Sequence, residues 1–141
     1  MSTSPADFNA KIIDEFRAND GRVGGMFEGA LLLLLHHTGA RSGASRVNPL
    51  VYLRDGTRYV IFASKAGAPT NPDWYHNLKA HPDVKVEVGP ETIDVHAEEA
   101  GEPERERLLS AQIERAPQFA EYVQSAGDRK IPAIVLTPSG V

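Results

Sequence analysis

A mainly β, α+β fold is what the sequence predicts: an antiparallel barrel of about six strands with helices packed outside it. Three observations predict it. Short runs of β-branched, aromatic and leucine side chains recur between residues 31 and 97, and again at 131–136. Two turn signals, Asp55-Gly56 and Gly89-Pro90, join neighbouring runs as hairpins. Strand and helix do not alternate in the regular way that parallel crossovers require. With 141 residues and no internal repeat, low-complexity tract or linker, the chain reads as a single domain, 1–141.

Each element has a local cause. Ser4-Pro5 suits an N-cap followed by proline at the first helical position, and Phe8, Ile12, Ile13 and Phe16 form an amphipathic stripe that ends near Asn19-Asp20-Gly21. Residues 1–20 are therefore expected to form an amphipathic helix, serving as a lid or packing element. Leu31 to His37 reads as a buried strand stopped by Thr38-Gly39. Val47 to Leu53 and Tyr59 to Ala63 are two further strands about the Asp55-Gly56 turn. Pro72 to His81 reads as a short helix with Trp74, Tyr75 and Leu78 as its apolar contacts. Val84 to Val88 and Thr92 to Ala97 alternate with period 2 around Gly89-Pro90. Pro103 to Glu114 is a charged amphipathic helix, Gln118 to Ser125 a second short one, and Ile131 to Leu136 a last strand ended by Pro138.

Composition removes several function classes. There is no cysteine, which excludes disulfides, thiolate metal sites and cysteine nucleophiles. The longest apolar run, Ala30 to Leu35, is far too short to span a bilayer, and the first residues lack the features of a signal peptide, so a cytoplasmic protein is expected. A net charge of -4 argues against nucleic-acid binding, but the charge is uneven. Residues 29–72 carry Arg41, Arg46, Arg54, Arg58 and Lys65 against the single acid Asp55, whereas residues 87–128 carry eleven acids and three arginines. A basic centre in an acidic chain suits a small anion.

The segment Thr38-Gly39-Ala40-Arg41-Ser42-Gly43-Ala44-Ser45-Arg46 is the best place for that anion. Its glycines allow tight turns that expose N–H groups, while hydroxyls and guanidiniums can satisfy phosphate oxygens. It is neither a Walker loop nor a dinucleotide fingerprint, and a solvated hairpin loop with incidental arginines would look the same. Ala63-Ser64-Lys65 closes a strand with small residues and another cation, leaving room for a flat ligand. Trp74, the only tryptophan, can wall such a ligand or simply belong to the core. No metal site is expected: His36 and His37 are adjacent and face opposite sides of a strand, and His76 and His81 are poorly spaced. No Gly-x-Ser-x-Gly elbow marks a serine hydrolase.

Taken in order, these pieces resemble the deazaflavin-dependent nitroreductases, also called F420H(2)-dependent quinone reductases, of mycobacteria and related actinobacteria. The resemblance runs from Leu31 to Pro138. It rests on Thr38-Gly39-Ala40-Arg41-Ser42-Gly43 with Arg46, Val47-Asn48-Pro49-Leu50, Ala63-Ser64-Lys65, the run Asn71-Pro72-Asp73-Trp74-Tyr75-His76-Asn77-Leu78-Lys79-Ala80, and Asp128-Arg129-Lys130-Ile131-Pro132. It implies a split β-barrel related to FMN-binding barrels, with coenzyme F420 as cofactor and FMN ranked second. It further implies that Arg41, Ser42, Gly43 and Arg46 contact the coenzyme's phosphate and neighbouring anionic groups. Asn48 and Pro49 would line the path toward the ring, Ala63, Ser64 and Lys65 would lie along the deazaflavin, and Trp74 and Asn77 would complete the pocket.

The implied reaction is hydride transfer from the reduced deazaflavin to a small-molecule acceptor: a quinone, an enone or a nitro compound. Because the hydride adds negative charge to the acceptor, a nearby donor lowers the barrier, and Ser64, Tyr75 and Tyr122 are the candidates, in that order. Relatives that reduce nitroimidazoles place further tyrosines where this chain has Ala116 and Phe119, so a quinone or another conjugated acceptor is the better expectation. The acceptor would lie in a pocket formed partly by the N-terminal helix and residues 119–122. A hydrophobic quinone would give the Phe8–Phe16 stripe a use at the inner face of the cell membrane, and related barrels commonly form homodimers. The alternatives are a non-catalytic F420 carrier or storage protein, an FMN-using relative, and a ligand-binding barrel without coenzyme.

Overall fold

The structure is a computed structural model that describes residues 5–24, 31–64, 71–127 and 130–139. Among these residues lie seven strands and four helices: α1 (Pro5–Ala18), β1 (Leu32–Thr38), β2 (Ser45–Val51), β3 (Leu53–Asp55), β4 (Arg58–Phe62), α2 (Asp73–Ala80), β5 (Asp83–Val88), β6 (Glu91–Glu99), α3 (Glu104–Arg115), α4 (Phe119–Ser125) and β7 (Ala133–Pro138). All strands join one antiparallel sheet in the order β2-β1-β5-β6-β7-β4-β3.

The order of that sheet explains its curl. Its two outer strands, β2 and β3, are consecutive in the chain and separated only by Tyr52. Two residues of extended chain reach about 7 Å, so the opposite edges of the sheet must meet at Tyr52. The sheet therefore rolls into a barrel, and the Tyr52 N–H donates to the Leu31 carbonyl at 3.0 Å as the chain passes from one edge to the other. The expected strand 47–53 is thus corrected to two, and the total to seven. Pairing partners change at Tyr52: β2 bonds to β1, β3 to β4.

Both expected hairpin turns form with two-residue loops. Asp55 pairs with Arg58 around Gly56-Thr57, and Val88 pairs with Glu91 around Gly89-Pro90. Gly56 (φ 62°) and Gly89 (φ 56°) take the positive φ that a type II′ turn needs at its first central position.

Burial follows which faces are covered. Leu33, Leu35, Ile61, Val86, Val95, Ile134 and Leu136 fill the barrel interior, and α2 inserts Trp74 and Leu78 among them. Leu32 and Leu34 point outward from β1 and are covered by Ile12 and Phe16 of α1, which is why this strand is leucine-rich on both faces. On the other side, α3 and α4 cover the outward Val60, Phe62, Ala133 and Val135 with Leu108 and Phe119. Among the described residues the outer faces of β5 and β6 carry no apolar helix cover, and there the sequence alternates polar with apolar.

The N-terminal helix is accordingly a packing element. Phe16 is 1% exposed, and Arg17 grips Glu87 of β5 with two hydrogen bonds (3.1 and 2.7 Å). Ile12 and Phe16 are spent on the sheet and are not available to a membrane surface; the Phe8 side chain lies outside the described residues. Among the described residues no helix is long and apolar enough to cross a membrane.

Candidate functional site

Strand directions alternate around the sheet, so one end of the barrel collects the β1–β2 loop, the C-terminal ends of β4 and β6, and the N-terminal ends of β5 and β7. Helix α2 lies across this end. Arg41, Ser42, Gly43, Arg46, Ala63, Ser64, Trp74 and Asn77, scattered over 37 positions of sequence, are brought to it together. Lys65, Asp128 and Arg129 lie outside the described residues.

The β1–β2 loop is a built turn. After the last ladder pair, Thr38 with Ser45, the Gly39 N–H donates to the Ala44 carbonyl (2.9 Å) and the Gly43 N–H to the Gly39 carbonyl (3.0 Å). Gly43 holds φ 71°, open to glycine without strain. The Ala44 N–H donates to Ser42 Oγ at 3.2 Å, so the serine oxygen is engaged as an acceptor and its own proton remains to donate outward. A Cβ at Gly39 would collide with that same oxygen. Among the described residues, the Arg41 and Ser42 N–H groups have no acceptor and the Arg41 and Arg46 guanidiniums have no ion-pair partner. Arg17, Arg58, Arg105 and Arg107 are paired with carboxylates, while Arg22, Arg54 and Arg115 also lack an ion-pair partner among the described residues but lie away from this loop. Two exposed N–H groups, a hydroxyl donor and two uncommitted guanidiniums on one loop fit the phosphate of an anionic coenzyme.

Beside the loop lies a buried polar chain. Asn77 of α2 accepts the Ala40 N–H on Oδ1 (2.9 Å) and contacts His37 Nδ1 through Nδ2 (3.0 Å), while His37 Nε2 meets Asn48 Oδ1 at 2.6 Å. His37 and Asn77 are 4% and 6% exposed. Burial, first of all, lowers the His37 pKa from its ordinary value; the hydrogen bond to Asn48 opposes it. The family resemblance implied a site role for Asn48 and Asn77 but none for His37, whose only sequence signal was a polar residue on the inward face of an otherwise leucine strand.

The register separates Asn48 from Pro49. Arg46 lies opposite His37 and Asn48 opposite Leu35, on the inward face, whereas Pro49 lies opposite Leu34, which faces α1. Pro49 therefore does not present its ring to the same side as Asn48. It is tolerated because β2 is an edge strand on which a missing N–H breaks no ladder.

Trp74 is 6% exposed within the barrel core, so its indole is chiefly a packing group. Ala63 is fully buried, its N–H donating to the Pro132 carbonyl at 3.0 Å, and Ser64 follows it half-buried. The three candidate proton donors do not share one environment. Tyr75 donates to Glu99 Oε1 at 2.7 Å, and burial together with that carboxylate pushes its pKa up to about 12. Tyr122 stands on α4, 37% exposed, edge-to-face with Phe119 (5.5 Å), which in turn meets Phe62 at a tilt (5.4 Å). The aromatic groups of α4 and the apolar groups of α1 belong to separate clusters, which does not support a pocket shared by the two helices. A cleft of about 990 Å³ lies at the opposite end of the barrel, between Tyr52, Tyr59 and the Gly89-Pro90 turn, and none of the expected site residues that are described lines it.

A curled antiparallel barrel with an anion-receptive loop at one end is the architecture of a split-barrel coenzyme-binding oxidoreductase. Comparison with known proteins narrows that class. Residues 10–138 match the family described as F420H(2)-dependent quinone reductase. An F420H(2)-dependent quinone reductase of Mycobacterium tuberculosis is 44% identical over 126 residues, covering 86% of this chain and 84% of that protein. A solved F420-H2 dependent reductase, FDR-A, is 39% identical with a TM-score of 0.67, covering 74% of this chain and 92% of that one. A second solved structure, described as a domain-swapped dimer, is 33% identical with a TM-score of 0.70, covering 94% and 99%. The chain belongs to the F420H(2)-dependent quinone reductase family and is an oxidoreductase of the split-barrel type.

Proposed function

We propose that this protein binds coenzyme F420 at the β1–β2 end of the barrel and passes a hydride from its reduced form to a quinone or related conjugated acceptor. The observation that carries the proposal is the loop itself: unpaired N–H groups at Arg41 and Ser42, the Ser42 hydroxyl proton, and the guanidiniums of Arg41 and Arg46, none committed elsewhere among the described residues. The bound coenzyme would supply the hydride. The chain's task is to hold and orient it: Arg41, Ser42, Gly43 and Arg46 at the phosphate, Asn48 and Asn77 behind the loop, Ala63 and Ser64 along the far side, and Trp74 as the floor on which α2 is seated, with Lys65 retained from the family resemblance as a further cation.

Of the proton-donor candidates, Tyr122 and Ser64 fit the role better than Tyr75. Surrendering the Tyr75 proton would leave a partly buried phenolate against the Glu99 carboxylate, and its raised pKa reflects burial first and that carboxylate second. Phe119 and Ala116 on the α4 side supply no further phenols, which supports a quinone over a nitroimidazole as acceptor. Assembly as a homodimer belongs to the same proposal, supported by the relative described as a domain-swapped dimer, and sedimentation velocity checks it.

Titration with coenzyme F420 and with FMN tests the proposal, followed by mixing the reduced coenzyme with a quinone. Much tighter binding of F420 and quinone-dependent loss of the reduced coenzyme are expected. Replacing Arg41 and Arg46 together by alanine should weaken F420 binding by at least about tenfold, roughly 1.4 kcal/mol. Equal affinity for FMN, or unchanged affinity in the double variant, would place the site or the cofactor elsewhere.

A further inference from the structure

We infer that His37 is a positioning residue for the anion loop: as a neutral imidazole protonated on Nε2 it orients the Asn77 amide so that Asn77 pins the Ala40 N–H, and a second proton on His37 releases that pin. The inference rests on the coenzyme reading above only for the loop's purpose; the hydrogen-bond chain stands apart from it.

The chain of donors leaves one assignment. A backbone N–H can only donate, so the Asn77 atom 2.9 Å from the Ala40 nitrogen is the carbonyl oxygen. The other end of that amide is then the NH2 group, which donates to His37 Nδ1 at 3.0 Å. Nδ1 must carry a lone pair, so the imidazole proton sits on Nε2 and donates to Asn48 Oδ1 at 2.6 Å. Three elements, β1, β2 and α2, are thereby tied to the first residue of the turn that presents Arg41 and Ser42.

An imidazolium does not fit this chain. Its Nδ1–H would confront the Asn77 NH2, two donors at hydrogen-bonding distance. Flipping the amide satisfies the histidine but turns the NH2 onto the Ala40 N–H, so the conflict moves to the loop. With both side chains almost wholly buried, water cannot take the missing role. The charged groups around His37 bear on its protonation: Arg46 on β2 and His36 on β1 disfavour the cation, and Asp73 on α2 favours it. Burial, aided by Arg46 and His36, outweighs the Asn48 hydrogen bond and Asp73, so the neutral form persists below the ordinary histidine range. A ligand that needs the pinned loop binds best above the His37 pKa and loses affinity as the pH falls through it.

Asn77→Asp tests this, because a carboxylate can accept from the Ala40 N–H and from a protonated Nδ1 at once. In the protein without coenzyme, nitrogen-15 spectra of the imidazole should show the Nε2–H tautomer at neutral pH. The protection factor of the Ala40 amide should fall on acidification in the unaltered protein and hold in Asn77→Asp. With coenzyme F420, affinity of the unaltered protein should drop several-fold as the pH falls through the His37 titration read from those same spectra, and Asn77→Asp should lose that acid limb. Comparing the two proteins cancels any titration of the coenzyme. A proton on Nδ1 at neutral pH, or the same acid limb in both proteins, overturns the inference. Absence of F420 binding at every pH, with the tautomer and the Ala40 response as expected, would instead overturn the proposed cofactor and uphold the role of His37.

Discussion

Gly39→Ala isolates one hydroxyl of the β1–β2 loop, the proposed coenzyme site. The backbone at Gly39 is not in the left-handed region, so alanine brings no conformational strain; its methyl group collides with Ser42 Oγ and with nothing else at such close range. The cheapest relief is rotation of the serine, which breaks the 3.2 Å bond from the Ala44 N–H and turns the hydroxyl proton away from its outward direction. The lost internal bond is exposed and worth at most about 1 kcal/mol of stability. A hydroxyl donating to a phosphate oxygen is charge-assisted, but water competes at this open site, so its loss should weaken F420 binding by about 1.4 kcal/mol, roughly tenfold. Ser42→Ala should weaken binding equally. It also frees the space: the remaining neighbours of a Cβ at position 39 are the Ala44 nitrogen and the Ser42 Cβ, both at an ordinary 3.6 Å. Adding Gly39→Ala to Ser42→Ala should then change little. Fluorescence titration of F420 into the four proteins of this cycle, with urea denaturation beside it, measures the coupling. Equal and additive losses in both backgrounds, or full affinity in Gly39→Ala, would refute the geometry of the loop.

Tyr122→Phe should slow quinone reduction with unchanged F420 affinity, whereas Tyr75→Phe should leave turnover near that of the unaltered protein; steady-state rates at saturating coenzyme separate the two. Phe16→Ala should cost about 3 kcal/mol of folding stability in chemical denaturation, since the ring is buried under α1 against β1. The Arg17 guanidinium beside Glu87, helped by His36, holds that carboxyl below its ordinary pKa. Such a depressed carboxyl stabilises the fold fully above its unfolded-state pKa, and the contribution is lost as pH falls through the folded-state value. Arg17→Ala should therefore lower stability at neutral pH and flatten its acid dependence, read as the denaturation midpoint against pH.

Much of the fold was legible because its causes are local. Period-2 alternation marked β5 and β6, whose outer faces meet solvent, and the glycine turns marked both hairpins. The amphipathic helices were legible from their stripes for the same reason. Tyr52 was not: it continues a β-like run, and only the rolled sheet makes it the point where pairing passes from one edge to the other. The leucines of β1 likewise show no period, because α1 buries the face that solvent would otherwise have marked as polar.

The candidate site divides in the same way. Residue type and spacing announced the loop Gly39–Ala44 and its arginines by themselves, since glycine freedom, hydroxyl donors and uncommitted guanidiniums are properties of a short stretch. Pairing across space decided the rest. The β1–β2 register put Asn48 inside and Pro49 outside, Glu99 claimed the Tyr75 phenol, and α2 carried Asn77 to His37 from 40 positions away. Sequence by itself determined that a short glycine-rich stretch would bring hydroxyls and arginines together, the chemistry an anion site needs. Only the tertiary structure decided what holds that loop in place, because a hydrogen-bond chain has no sequence spacing of its own and exists only where the barrel brings its members together.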